Sequence, residues 1–143
     1  MNNSFSFLLS MKKEFDNPTN IEIPLSGQSK RYKLSGQPYG FIFYVDFDRQ
    51  GEIEDKMKLQ LRYNNNPLVR LEINSRRHIN PDGLFVSNNH VHIFMGNDGK
   101  NWAYELNSVF DSDIIGMSYA GRFSHFCNYC NISLTNVILQ EVL

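Results

Sequence analysis

"KMKLQLRYNNNPLVRLEIN", residues 56–74, decides the fold class. Met57, Leu59, Leu61 and Tyr63 fall on one side of an extended chain, and Lys58, Gln60 and Arg62 on the other. Past the loop NNNP the alternation resumes, with Val69, Leu71 and Ile73 inward and Arg70, Glu72 and Asn74 outward. Successive strand side chains point to opposite faces, so the segment predicts antiparallel strands with one apolar and one solvated face.

The same reading extends in both directions. Upstream, "YGFIFYVDF" (39–47) sets Phe41, Phe43, Val45 and Phe47 against Ile42, Tyr44 and Asp46. "DRQGE" after it carries a turn glycine, and "IEIPL" (21–25) and "KRYKL" (30–34) read as a hairpin around "SGQS". Downstream, "NPDG" (80–83) is a turn signal, because proline presets φ and glycine supplies φ > 0. Residues 90–95, "WAYEL" (102–106) beyond the turn "GNDGKN", and "NVILQEV" (136–142) complete the predicted strands.

Two segments read as helices. Over residues 4–15, Ser4 is the cap and Phe5, Leu8, Met11 or Lys12, and Phe15 recur at helical spacing, with Asp16-Asn17-Pro18 ending the run. Over residues 110–130, Asp111 or Ser112 is the cap and Ile115, Tyr119, Phe123, Phe126 and Cys130 form one stripe. The expected architecture is one α+β domain spanning residues 1–143. It is a curved antiparallel sheet or a partly open β-barrel, with an N-terminal and a C-terminal helix packed against it.

The formal net charge of -1 carries neither the basic excess of a dedicated nucleic-acid binder nor the acidic excess of a nucleic-acid mimic. The apolar run near the N-terminus is too short and broken for a signal peptide or membrane span. With two cysteines and no export signal, a reducing bacterial cytoplasm is the expected compartment. No phosphate-binding loop, dinucleotide fingerprint, G-x-S-x-G or H-E-x-x-H occurs, and no cofactor is expected.

Three of the four histidines lie within fifteen residues. The strand period of two puts His90, His92 and Phe94 on one face, opposite Val91, Ile93 and Met95. If this strand neighbours "LVRLEIN", its polar face also carries Arg70, Glu72 and Asn74, with Gln60 and Arg62 beyond. Such a solvated face could bind a phosphate or hold an acid and a base; it also has a bland reading as the wet side of a sheet. His78 before the turn is expected to hydrogen-bond turn backbone, with Asn80 and Asp82 as turn formers. His125, Cys127 and Cys130 in "HFCNYC" are a partial zinc set, weakened because structural zinc sites bring two ligand pairs; Cys130 reads equally as a small core hydrophobe.

"RHINPDG", "HVHIF", "WAYEL" and "FCNYCNI", over roughly residues 40–132, resemble a family of small uncharacterised proteins of phages, prophages and other mobile elements of Gram-positive bacteria. The resemblance implies a setting, conflict between mobile elements and hosts, and no catalytic residue. Three functions fit it. The first is a binding protein that blocks a host protein or ribonucleoprotein, such as an anti-CRISPR protein acting on a CRISPR effector nuclease. Its binding set would be Arg62, Arg70, Tyr39, Tyr44, His90, His92, Phe94 and Trp102, the aromatics serving as exposed anchors. The second is a small metal-independent ribonuclease toxin using His78, His90, His92, Arg70 and Glu72. The third is capture of a small anionic signalling molecule. The near-neutral charge ranks the inhibitor first, since an RNA-cleaving toxin needs cations to hold its substrate.

Overall fold

The computed structural model describes residues 4–16, 20–38, 40–49, 55–95, 100–135 and 137–141. Asn17-Pro18, Tyr39, Gly51 and the 96–99 part of the "GNDGKN" turn lie outside the described residues. The chain begins with helix α1 (Phe5–Ser10), followed by strands β1 (Lys12–Phe15), β2 (Asn20–Glu22), β3 (Ser29–Gln37) and β4 (Phe41–Asp48). Strands β5 (Met57–Tyr63), β6 (Asn66–Ile73), β7 (His78–Ile79), β8 (Phe85–Val86), β9 (His90–Ile93) and β10 (Ala103–Glu105) come next. Helix α2 (Tyr119–Tyr129) and strands β11 (Ile132–Ser133) and β12 (Ile138–Gln140) complete the order.

The fold is α+β, as the alternation predicts. Eight strands form one open sheet in the order β10-β9-β6-β5-β4-β3-β1-β11, antiparallel throughout except for the parallel β1–β11 pair. The sheet does not close into a barrel. Its inner face carries Phe43, Val45, Phe47, Leu59, Leu61, Leu71, Ile73 and Val91, all without exposed surface. Helix α2 lays Phe123, Phe126 and Cys127 against them, and Phe123 stacks on Phe47 at 5.8 Å. No helix among the described residues is long and apolar enough to cross a membrane.

The β5–β6 hairpin turns at Asn64, whose φ of 52° asparagine tolerates better than most residues. Tyr63 pairs with Asn66, so the loop is two residues shorter than NNNP suggested, and Pro67 sits at the register shift near Arg62 where a missing N–H does least harm.

Several expectations are corrected. The N-terminal helix stops after six residues, and Lys12–Phe15 is a strand whose burial alternates at period two; Lys13 points inward and Phe15 with it. Strands β2 and β3 are not a hairpin, because β2 pairs in parallel with β12. The predicted helix over 110–130 is helical only from Tyr119, and Ser118, not Asp111 or Ser112, caps it by accepting from Gly121 N. The chain before it makes two 3-10 turns, Leu106–Ser108 and Ile114–Gly116, the second capped by the Asp113 side chain. Arg122 fixes the start of α2: it is 2% exposed, donates to the carbonyls of Ile114 and Ile115, and pairs with both Asp55 carboxylate oxygens. Met95, expected in the apolar set of β9, is exposed.

Candidate functional site

The β6–β9 pairing sets Arg70 opposite His92 and Glu72 opposite His90. The β5–β6 pairing adds Gln60 opposite Arg70 and Lys58 opposite Glu72. The predicted polar row therefore forms. The NPDG turn, however, joins β7 to β8, a separate two-stranded ribbon, and not β6 to β9.

That ribbon changes the environment of the histidines. His90 and His92 are not on a water-facing side: they are 1% and 2% exposed. His78 packs edge-on against His92 with ring centroids 4.8 Å apart and lies 5.9 Å from His90. Its Nε2 donates to Asn101 O at 2.8 Å, so it ties the ribbon to the chain leading into β10 and does not serve the turn backbone. Asn80 reinforces the tie with two hydrogen bonds to the Ala103 backbone, while Asp82 does bond within the turn, to Leu84 N. The ribbon meets the imidazoles through His78, and a half-open pocket of about 350 Å³ adjoins them. Lys58, Arg70, Glu72, Arg76, Arg77 and the three histidines are among its lining.

Glu72 is the hub. Its Oε2 lies 2.8 Å from His92 Nε2, 3.6 Å from His90 Nε2 and 3.1 Å from Arg70 Nε, and its Oε1 is 3.8 Å from Lys58 Nζ. Burial alone would raise the Glu72 carboxyl; hydrogen bonding with His90 and His92 and the Arg70 charge outweigh it and hold the group far below the usual carboxylate range. The two imidazoles diverge. Burial pulls His90 down, but Glu72 and a bond from its Nδ1 to Ser87 O at 2.7 Å leave it raised. Burial prevails at His92, whose value is lowered despite Glu72. His92 Nε2–H donates to Glu72, which leaves Nδ1 as the acceptor nitrogen, and Nδ1 is buried with no hydrogen-bond partner.

Glu72, His90 and His92 are also the group among the described residues that could hold a metal ion. Their ligand atoms all lie within 4.8 Å of one another. The surroundings favour the opposite charge. Arg70 already occupies the same carboxylate oxygen, Lys58 the other, and Arg76 and Arg77 line the cavity, so an entering dication would meet cations and an entering anion would neutralise them.

The binding set divides. Arg62, Arg70, His90, His92 and Phe94 belong to the polar face, Phe94 stacked on His92 at 5.7 Å and lying under Arg70. Tyr44, Phe94 and Trp102 are half-buried, not free exposed anchors; Tyr44 lies between Arg31 and Arg62. Tyr39 falls outside the described residues. His125, Cys127 and Cys130 form no ligand cluster among the described residues. Both thiols are buried in the core, and burial pushes Cys130 up to about 12 and Cys127 well above its ordinary value, against the thiolate a zinc site needs. Lys58, Arg76, Arg77 and the Ser87 carbonyl were missed; the paired arginines before His78 were the visible signal for two of them.

Neither curated proteins nor solved structures give a match to the chain. A family model does, over residues 1–132, and the chain thus belongs to DUF6978, a family of unknown function.

Proposed function

We propose that the pocket is a metal-independent acid–base site for RNA phosphodiesters, the activity of a small ribonuclease toxin. One observation carries this reading: His78, His90, His92, Arg70 and Glu72, drawn from three strands, line a single pocket with two imidazoles shifted in opposite directions. Two titratable groups pushed apart by their surroundings are the arrangement for an acid and a base.

His92 Nδ1 takes the proton from a ribose 2′-hydroxyl as its oxygen bonds to phosphorus. His90 delivers the proton of Nε2, the nitrogen not bound to Ser87 O, to the departing 5′-oxygen as that P–O bond breaks. The products are a 2′,3′-cyclic phosphate and a free 5′-hydroxyl. Glu72 fixes the His92 tautomer, and Arg70 and Lys58 offset charge on the non-bridging oxygens. Substrate entry requires His78 to swing off the His92 ring, against which it packs. The test is incubation of the protein with single-stranded RNA in EDTA. Fragments with cyclic phosphate ends, lost in His92→Gln and His90→Gln, support the reading. Cleavage that EDTA abolishes and zinc restores would replace it with a metal centre.

A second reading keeps the mobile-element setting: the chain binds and blocks a host macromolecule, such as a CRISPR effector. It is favoured by the ribbon tip, where Ile79, Leu84 and Phe85 are 56%, 67% and 56% exposed. Inhibition retained by His90→Gln and His92→Gln but lost in Phe85→Ser with Leu84→Ser would support it and remove the ribonuclease.

A further inference from the structure

We infer that the polar face of the sheet is a track that leads single-stranded RNA into the histidine pocket. The inference rests on the phosphodiester reading and names how the substrate is held outside the reacting centre.

Strand register builds the track. Arg31, Asp46, Gln60, Arg70 and His92 lie opposite one another across β3, β4, β5, β6 and β9. Lys33, Tyr44 and Arg62 form the adjacent row. Four interstrand steps span about 19 Å, room for several nucleotides. Helix α2 packs against the other face of the sheet, so it leaves these rows uncovered.

The charge along these two rows differs from that of the whole chain. Net charge is -1, yet the rows hold Arg31, Lys33, Arg62 and Arg70 against Asp46, with Asp16 beside Lys33, Asp48 and Glu72 beside Lys58, and Glu105 opposite His90 at their margins. The Arg31 and Lys33 side chains, at the end far from the pocket, are 67% and 51% exposed. Asp46 holds Arg31 at 3.1 Å and Arg62 at 2.7 Å, which fixes the two guanidiniums around the Tyr44 ring. Phe94 offers a second ring beside His92. Cations interleaved with aromatic faces on a sheet suit a backbone of phosphates whose bases are unstacked, not the closed stack of a duplex.

The probe is a labelled 2′-O-methyl oligouridine of about twelve nucleotides, read by fluorescence anisotropy. It lacks the free 2′-hydroxyl, so binding is measured apart from cleavage. We expect Arg31→Gln with Lys33→Glu to weaken binding at least tenfold and to lower the slope of log K against log salt by about two. Thermal melting checks the fold, and Lys33→Gln, expected to weaken binding severalfold, serves if the double variant unfolds. Binding that obeys these expectations without cleavage of unmodified RNA leaves the track standing and removes the ribonuclease. Cleavage of unmodified RNA with probe affinity unchanged by these substitutions removes the track and leaves the ribonuclease. Equal competition by duplex RNA also overturns the inference.

Discussion

Glu72 and His92, on neighbouring strands, share a 2.8 Å contact between Oε2 and Nε2, and the same oxygen accepts from Arg70 Nε at 3.1 Å. One buried carboxylate thus orients an imidazole and compensates a guanidinium. Removing its charge leaves Arg70, Lys58 and the histidines facing one another. Glu72→Gln is expected to destabilise the fold by roughly 3 kcal/mol, the scale for breaking a buried ion pair. Urea unfolding measures this. RNA cleavage should fall about a hundredfold or more, because the His92 tautomer is no longer fixed. Unchanged unfolding would show that the carboxylate is solvated and the pocket open.

The opposite shifts of the imidazoles predict a bell-shaped rate–pH profile whose optimum spans the ordinary histidine value of about 6.5. His92 is lowered, so the base is lost only as pH falls below that value. His90 is raised, so the acid is lost only as pH rises above it. Stability follows the same signs. The His90 contribution is full below the unfolded value and disappears as pH rises through the folded one; the His92 contribution is full above the unfolded value and disappears as pH falls. The two act on opposite sides of the unfolded value, so melting temperature should peak near it, and the rate profile is read against that maximum. His90→Gln should remove the alkaline limb from whatever activity remains; an unaltered profile would reassign the acid.

The polar row of Gln60, Arg62, Arg70, Glu72, His90 and His92 was legible because strand alternation is local and the turn at Asn64 is short. Its burial was not. The ribbon that packs against it is held by His78 to Asn101 and Asn80 to Ala103, contacts across 23 residues that no period announces. Residues 12–15 were misread because Met11 or Lys12 and Phe15 also satisfy a helical spacing. What places them in the sheet is pairing with β3 and β11, and β11 follows the second helix, more than a hundred residues away. The start of α2 was placed too early because nothing local shows that Arg122 would tie the Ile114–Gly116 turn to Asp55.

Gly36 explains why one strand position carries no side chain. A Cβ there would lie 2.2 Å from Met11 Sδ and 2.9 Å from the Phe43 ring. Met11 is flexible, but it is buried, and Phe43 has no exposed surface. Gly36→Ala is expected to destabilise by roughly 2 kcal/mol through overpacking. Adding Met11→Ala should recover part of that loss by freeing the space the sulfur occupied. Chemical denaturation of the two variants tests the pair, and a neutral Gly36→Ala would mean that β1 and β3 part readily.

Lys13 is a charge without an acidic partner in the core. Its Nζ, with no exposed surface around it, donates to the carbonyls of Leu9, Met11 and Cys130 at 2.9, 2.9 and 2.8 Å. The last two belong to opposite ends of the chain, so the ammonium joins the exit of α1 to the exit of α2. Burial lowers its value to about 8. Lys13→Met fills the same volume but leaves three carbonyls without this donor, and a loss of roughly 2–4 kcal/mol is expected. The pH dependence of the difference identifies the cause. With the folded value depressed, the lysine's contribution is lost as pH falls through about 8 and is full above the unfolded value of 10.5. Wild type should therefore gain on Lys13→Met as pH rises between those limits. Cys130, raised to about 12 by burial and drawn down by Lys13, is coupled to the lysine, so both proteins carry Cys130→Ala in the comparison. A difference that stays flat from pH 7 to 10 would mean that the ammonium reaches water and that the carbonyl cage does not bind it.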